Sequence, residues 1–319
     1  MSSATHGQNL AASGDGRNQQ PHPHPRNESL GRLFAFSCAI AILVLTMAVI
    51  LFVAWKGLAS FTGLQPLSPA QFLTSTQWQP DRLIENGGPQ FGALIFIVGS
   101  LAVSAMAILI SAPLGVAAAI LISELQPRWG ERILRPALEL FIGVPSVVYG
   151  WVGLSVLVPF IRAHFGGVGF SVLAGGLVLA VMILPTITTL SVDALRSLPI
   201  SYTEGSLALG STRWQTIRHV LLPAARTRIG IAITMGLARA FGEALAVQMV
   251  IGNSVRLPDS LLQSTSTLTS IITMDMSNTI MGTAWNNVLW TMALLLLLIT
   301  MTLILVIRSM GTAEKRGSR

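Results

Sequence analysis

Six long apolar runs constrain this chain more than any other feature of its sequence. The first, residues 33–55, holds 23 residues without a charge, and as a helix it is long enough to span the roughly 30 Å hydrocarbon core of a bilayer. It is also too long for the apolar part of a cleaved signal peptide, so we expect a retained anchor. The sequence therefore predicts an all-α integral membrane protein with six transmembrane helices. The other five runs are residues 91–123, 136–160, 170–192, 229–251 and 288–307.

Composition favours a membrane protein over a soluble domain. The 319 residues are 52% hydrophobic and only 10% charged. A formal net charge of +7 would suit nucleic-acid binding, but the basic residues are dispersed at the ends of apolar runs rather than gathered in one patch. We therefore expect the lipid bilayer, and no nucleic acid, as a partner. The single cysteine, Cys38, lies in the first run, so no disulfide and no metal site is predicted.

The distribution of Lys and Arg predicts the orientation in the membrane. With six helices, 15 of the 20 basic residues fall on one side, four on the other and one within a helix. Because short cytoplasmic loops are enriched in Lys and Arg, both termini are expected in the cytoplasm. The longest segment on the outer side, residues 252–287, is rich in Ser, Thr and Met.

Two polar ends flank the membrane domain. Residues 1–32 are rich in Ser, Gly, Asn, Gln and Pro, which predicts a disordered cytoplasmic tail. The His-Pro run at residues 21–25 is expected to be a stiff spacer, because its two histidines do not supply a closed set of metal ligands. Residues 33–308 then form the transmembrane domain, and residues 309–319 form a cytoplasmic basic tail.

A polar segment between the fourth and fifth runs, residues 193–228, has the pattern of two helices joined by a glycine. Two residue pairs in it have the spacing of a capping box, in which side chains satisfy free amides at a helix start. Gly210 lies between the pairs, where a left-handed residue ends a helix, and Pro223 is expected to limit the second helix. We call residues 193–228 the elbow and expect it to be a rigid docking surface in the cytoplasm. The predicted capping boxes are Ser201 with Glu204 and Thr212 with Gln215.

Arg239 is the one basic residue inside an apolar run, and Glu243 follows it four residues later. On a helix this spacing places both side chains on one face, where they can pair. Ala232 and Gly236 continue that face and permit close packing, which predicts that the pair faces the protein interior. Two interpretations stay open. The pair is either a structural ion pair or part of a substrate path, where the guanidinium suits a tetrahedral oxyanion.

The chain lacks the sequence features of an enzyme that hydrolyses ATP. Its two lysines, Lys56 and Lys315, do not follow the Gly-rich spacing of a P-loop, so ATP hydrolysis is expected on a separate chain. No catalytic residue and no cofactor is predicted. An intramembrane serine protease around Ser146 is a remote alternative, because no histidine lies in an apolar run. A secondary transporter also stays open, although no repeated pair of broken helices indicates one.

The elbow resembles the "EAA" loop of ABC importer permeases. The sequence Glu204-Gly-Ser, then Gly210, then Val-x-Leu222-Pro223 keeps the spacing of that loop, with Gly-Ser in place of the usual Ala-Ala. In that family the loop seats in a groove of the ATPase subunit. The resemblance therefore implies that Glu204, Gly210, Leu222 and Pro223 belong to a coupling loop for a separate ATPase dimer.

Further motifs are similar to phosphate permeases of the PstC type. The segment Arg239-Ala-Phe-Gly-Glu243 resembles the R-A-x-G-E of oxyanion importers, both phosphate and sulfate/molybdate types. Residues 244–253, 72–78, 91–94 and 144–150 resemble the phosphate type.

This resemblance implies a type I ABC importer permease (MetI-like) fold in the bacterial plasma (inner) membrane. The chain would form half of a phosphate pore, with Arg239 and Glu243 on the pathway, and a sulfate/molybdate permease is the alternative. The implied partners are an ATPase dimer, a second permease of PstA type and an extracytoplasmic phosphate-binding protein.

Overall fold

The computed structural model describes residues 25–62, 67–83, 85 and 88–317. Within these ranges six helices are long and apolar enough to cross a membrane, so the prediction of six transmembrane helices in an all-α chain is confirmed. These membrane helices are Gly31–Thr62, Leu94–Leu125, Ser146–Phe165, Val172–Arg196, Arg213–Gly242 and Ala284–Val306.

The elements are numbered in chain order. The helices are α1 (Pro25–Thr62), α2 (Pro69–Thr74), α3 (Leu94–Ile120), α4 (Pro127–Trp129), α5 (Arg135–Gly143), α6 (Ser146–Val152), α7 (Val158–Phe165), α8 (Val172–Arg196), α9 (Ile200–Ala208), α10 (Arg213–Thr216), α11 (Leu222–Gly242), α12 (Leu245–Ile251), α13 (Leu268–Asp275) and α14 (Ala284–Gly317). Segments of π-helix lie at Leu121–Leu125, Gly130–Leu134, Gly153–Leu157 and Ile217–Leu221, and a 3-10 turn covers Met276–Asn278. Two short strands, β1 (Trp78–Gln79) and β2 (Gln90–Phe91), pair antiparallel with Trp78 opposite Phe91.

Helix α1 begins at Pro25, within the range predicted to be a tail. Residues 1–24, with most of the His-Pro run, lie outside the described residues. By its contacts the chain divides after Phe52, and the described part of the first unit is a single helix. Nearly every side chain from residue 31 to residue 52 is exposed, and most of them are apolar. This surface suits contact with lipid.

In the unit that follows Phe52, the core lies around α8. This helix packs on α3 and α11, and a cluster of buried side chains from α3, α8 and α12 fills the space between them. Gly236 of α11 lies against α8, where an added Cβ would come within 2.6 Å of Ile187 Cγ1. A larger residue at Gly236 would therefore separate the two helices. The prediction that this small residue permits close packing is confirmed.

The third membrane helix begins at Ser146 rather than at residue 136 as predicted. Val144 has an extended backbone (φ −70°, ψ 127°), and Pro145 follows it at the start of α6. The residue before a proline disfavours the helical conformation, so the apolar run breaks here and α5 is separate from α6. The predicted start of this span at about residue 136 is therefore wrong.

The fifth membrane helix also begins and ends at other residues than the predicted 229 and 251. It begins at Arg213, within the elbow, and ends at Gly242, so that residues 245–251 form the separate helix α12. Pro223 was expected to limit the second helix of the elbow, which is wrong. It occupies the first turn of α11, directly after a π-helical segment, where its missing N–H costs little.

Candidate functional site

Arg239 lies in the last turn of α11 and is half-buried. Its Nη1 donates a hydrogen bond of 2.7 Å to Thr186 Oγ1 on α8. The phenol of Tyr149 on α6 lies near enough to interact electrostatically with the guanidinium. In the described part of the chain, no carboxylate forms an ion pair with Arg239 within 4.0 Å. The guanidinium is thus positioned by a neutral hydroxyl, without a paired carboxylate among the described residues.

Glu243 does not pair with Arg239, contrary to the prediction. Helix α11 ends at Gly242, and Glu243 has an extended backbone (φ −77°, ψ 124°), so the helical geometry that would align the two side chains stops before it. Its Oε1 instead accepts a hydrogen bond of 3.1 Å from the amide of Ala246. Glu243 therefore satisfies a free amide in the first turn of α12.

A run of hydroxyl residues, Thr265–Ser270, is buried beside Glu243. Each residue in this run is at most 7% exposed. The amide of Leu268 donates to Ser100 Oγ on α3 at 3.0 Å, and Thr269 Oγ1 donates to the backbone carbonyl of Glu243 at 2.9 Å. We call residues 265–270 the hydroxyl segment. Although it belongs to a polar stretch between two membrane helices, it packs into the core.

A small cavity lies between the hydroxyl segment, α3 and the end of α11. Its volume is about 10 Å³, which is the lower limit for holding a single water molecule. Its polar lining consists of one carboxylate and four hydroxyl residues, and its remaining lining is apolar. The polar residues are Ser100, Ser104, Glu243, Thr267 and Thr269.

None of these four hydroxyl residues was predicted from the sequence as part of the site. A signal for two of them is present in the sequence, because Ser100 and Ser104 lie four residues apart in an apolar run. This spacing places them on one face of a helix. The five hydroxyls within Thr265–Ser270 are a second signal, but their burial depends on contacts with distant residues.

The elbow contains the short helices α9 and α10, which are its two arms. Gly210 lies in the turn between them. This residue has the left-handed backbone predicted for it, with φ at +82°. The capping box of Thr212 and Gln215 is confirmed. Gln215 N donates to Thr212 Oγ1 at 3.3 Å, and Thr212 N donates to Gln215 Oε1 at 2.8 Å. The hydroxyls of Ser206 and Thr216, 3.0 Å apart, connect the two arms.

The second predicted capping box, Ser201 with Glu204, is not formed. Helix α9 starts at Ile200, and Pro199 occupies its N-cap position without a side-chain hydrogen bond. Ser201 is therefore already inside the helix. The side chain of Glu204 is exposed.

The elbow exposes several large apolar side chains although it is polar in composition. Leu209, next to the left-handed glycine, is 89% exposed. Of the predicted coupling residues, Glu204, Gly210 and Pro223 are exposed, while Leu222 is half-buried against a cluster below the elbow. The exposed apolar residues of the elbow are Ile200, Tyr202, Leu207, Leu209 and Trp214.

The base of the elbow is held by one bond to a neighbouring segment and by one bond between its own two ends. The guanidinium of Arg196 pairs with Glu131 in the π-helical segment before α5, and Arg228 of α11 donates to the hydroxyl of Ser197. The hydrogen bond from Arg196, with a smaller contribution from Arg135, holds the pKa of the Glu131 carboxyl below its ordinary value of 4.5. This shift favours the ionised carboxylate, which is the form that pairs with Arg196.

Comparison with known proteins places this arrangement in a family. Residues 111–316 match the family of binding-protein-dependent transport system inner membrane components. The chain belongs to this family. The matched range contains the elbow, Arg239, Glu243 and the hydroxyl segment, whereas Ser100 and Ser104 precede it.

The permease has related proteins along most of its length. It is 50% identical over 291 residues to YqgH of Bacillus subtilis (strain 168), described as a probable ABC transporter permease protein, with 91% of this chain and 92% of the relative covered. It is 32% identical over 310 residues to the phosphate transport system permease protein PstC of Haemophilus influenzae, with 89% and 93% covered.

The fold of the permease is similar to that of an inward-facing MetNI methionine ABC transporter structure. The TM-score is 0.51 at 22% sequence identity, over 68% of this chain and 96% of that chain. The expected MetI-like fold of ABC importer permeases is thereby confirmed. The permease is a multi-pass membrane protein.

Proposed function

We propose that this permease forms half of the translocation pore of an ATP-driven phosphate importer. The observation that carries the proposal is the environment of Arg239. A half-buried guanidinium that is held by the hydroxyl of Thr186, with no ion pair in the described structure, favours an anionic ligand. Its planar donors match the geometry of a tetrahedral oxyanion. The relatives named as phosphate permeases narrow the oxyanion to phosphate.

Glu243 belongs to the same pathway. It joins α11 to α12 and lines the small cavity, so its carboxylate lies beside the route that starts at Arg239. An anion that meets both a guanidinium and a carboxylate is bound weakly enough to leave again, which conduction requires. This role does not need a direct contact between the two side chains.

The elbow is the docking surface for a separate ATPase dimer. The exposed side chains of Leu209 and Trp214 would gain free energy by burial in a partner. Glu204, Gly210, Leu222 and Pro223 form the coupling loop at this contact. Residues 213–242 are one continuous helix, so a displacement of the elbow reaches Arg239 without passing a break.

The other partners and the orientation complete the proposal. A second permease of PstA type supplies the other half of the pore, and an extracytoplasmic phosphate-binding protein delivers the substrate. The elbow and both termini lie in the cytoplasm of a bacterium, with the helices in its plasma (inner) membrane, in agreement with the 15 basic residues on that side.

Charge reversal at Arg239 tests the proposed function. In a strain without its own copy of the gene, we expect Arg239→Glu to lower phosphate uptake per permease molecule by at least about a hundredfold, because a carboxylate then repels the anion. Arg239→Lys keeps the charge but loses the planar donors, and it should retain partial uptake. Arg256→Glu is the matched control, since Arg256 is exposed.

Membrane abundance is measured by immunoblot in the same cells. Wild-type uptake per molecule in Arg239→Glu would overturn the proposal. Loss of sulfate or molybdate uptake, with phosphate uptake unchanged, would replace phosphate by the alternative oxyanion.

A further inference from the structure

We infer that the hydroxyl groups around the small cavity form a second contact site for the transported oxyanion, beside Glu243. Ser100 and Ser104 of α3 lie on one side of this site, and Thr267 and Thr269 of the hydroxyl segment lie on the other. The inference rests on the proposed function, because it assigns the lining of the same pathway. None of these four residues contacts Arg239 by a hydrogen bond within the part of the chain that the structure describes.

Ser104 carries the inference. It is 3% exposed, it lines the cavity, and its hydroxyl makes no hydrogen bond with any described residue. A hydroxyl that borders a cavity and has no partner among the described residues is free to hydrogen-bond a ligand that enters the cavity. Ser111 on the same helix provides the contrast, since its hydroxyl donates to the carbonyl of Ala107 at 2.7 Å.

The chemistry of the lining distinguishes phosphate from sulfate. Hydroxyl groups donate hydrogen bonds to the oxygens of either anion. Glu243 uses Oε1 to accept the amide of Ala246, and Oε2 has no hydrogen bond with a described residue. That oxygen is available to accept a hydrogen bond from a protonated phosphate oxygen. Sulfate is fully deprotonated at neutral pH, so it would meet the carboxylate only with repulsion.

The site is closed in this structure. A cavity of about 10 Å³ is smaller than a phosphate ion, so entry requires the hydroxyl segment to move away from α3. The contacts that hold them together include the hydrogen bond from Leu268 N to Ser100 Oγ and the approach of the Ser266 carbonyl to Gly99. At Gly99 an added Cβ would come within 2.1 Å of that carbonyl oxygen, so the contact is as close as glycine allows. The hydroxyl of Ser266 is also buried without a hydrogen bond.

Thiol protection in the assembled transporter tests the inference directly. Ser104→Cys is made together with Cys38→Ser, and the complex is treated with a small charged thiol reagent while it hydrolyses ATP. We expect the introduced thiol to react, and saturating phosphate to slow the reaction roughly tenfold by occupying the site. Sulfate at the same concentration should not slow it. Ser111→Cys is the matched control, and we expect it not to react.

A second variant keeps the test independent of reagent access. Ser104→Ala loses no hydrogen bond to a described residue, so the protein should fold, and we expect the maximal rate of phosphate uptake to fall roughly five- to tenfold through the loss of one hydrogen bond to the substrate. The KM should stay unchanged, since the binding protein determines capture. Ser111→Ala should transport at the wild-type rate.

The outcomes separate this inference from the proposed function. Equal reaction rates with and without every oxyanion, while uptake still depends on Arg239, would overturn the hydroxyl site alone. Protection by sulfate or molybdate but not by phosphate would overturn both phosphate as the substrate and the selection against sulfate assigned to Glu243. Equal reaction of Ser104→Cys and Ser111→Cys would also overturn the hydroxyl site, because it would show that access is general.

Discussion

The elbow and the hydroxyl segment are both polar stretches between membrane helices, yet their side chains have opposite environments. The elbow exposes large apolar residues such as Leu209 and Trp214, whereas the hydroxyl segment buries five hydroxyl residues among its six. Exposed apolar surface of this kind usually marks a contact with another molecule, and buried hydroxyls must find hydrogen-bond partners. Apolar side chains are usually buried and polar side chains are usually exposed. The elbow departs from this pattern by exposing apolar residues, and the hydroxyl segment departs from it by burying polar ones. A function is proposed for each of the two regions.

The two regions also differ in how they are held. The bonds that shape the turn of the elbow around Gly210 are local, as in the capping box of Thr212 and Gln215. The hydroxyl segment is held by bonds to α3 and to Glu243, which are far away in the chain. The elbow can therefore keep its shape while it moves with a partner, whereas the hydroxyl segment depends on the packing of several helices.

The largest expected effect concerns the exposed apolar tip of the elbow. Leu209→Ser should weaken association with the ATPase by about 30- to 150-fold, which corresponds to the roughly 2–3 kcal/mol gained when a leucine side chain is buried. The free energy of unfolding should change by less than about 0.5 kcal/mol, because Leu209 is exposed in this chain. Titration of the purified permease with the ATPase measures the effect. Leu261→Ser, also at an exposed position, is the control. An unchanged affinity for Leu209→Ser would remove the elbow tip from the contact.

Loss of a hydroxyl from the hydroxyl segment should lower the stability of the permease, in contrast to the change at Leu209. Thr267 Oγ1 accepts a hydrogen bond from Ser270 N at 3.2 Å and lies 2.7 Å from Ser270 Oγ. Thr267→Val should lower the free energy of unfolding by about 1–3 kcal/mol, because these buried groups lose a partner. Thermal unfolding of the purified protein measures this loss, and Thr302→Val at an exposed position of α14 is the control. If both variants unfold at the same temperature, the hydrogen bonds of Thr267 do not stabilise the hydroxyl segment.

The smallest effect concerns the turn of the elbow. A methyl group at Gly210 or Gly205 would meet nothing within 4 Å, but only Gly210 has a left-handed backbone. Gly210→Ala should therefore add about 1–2 kcal/mol of local strain and lower uptake several-fold at equal membrane abundance. Gly205→Ala, in the middle of α9, should leave uptake unchanged and is the matched control. Equal uptake by the two variants would show that the angle between the arms does not matter for coupling.

Features that depend on a single residue or on a short local pattern could be predicted from the sequence. The six membrane helices follow from the lengths of the apolar runs, and the left-handed conformation of Gly210 follows from the absence of a side chain. The capping box at Thr212 needs only two residues three positions apart.

Predictions that required an exact helix boundary were wrong. The pairing of Arg239 with Glu243 assumed a helix through both residues, but α11 ends one residue before Glu243. The box at Ser201 assumed a helix start at that serine, whereas the rigid φ of Pro199 lets α9 begin earlier. The burial of the hydroxyl segment could not be predicted from the local sequence, because its hydrogen bond from Leu268 to Ser100 joins residues 168 positions apart.

The helix that carries Arg239 also begins as the second arm of the elbow. Between the two lies the π-helical segment Ile217–Leu221, which fits one more residue into its turn than an α-helix does. Each residue of an α-helix rotates by about 100° around the axis. The extra residue therefore changes the direction around the axis in which Arg239 points relative to the elbow. The elbow and the guanidinium therefore have a fixed angular relation around the helix axis. A partner that holds the elbow in one orientation would also fix the direction in which the Arg239 side chain points.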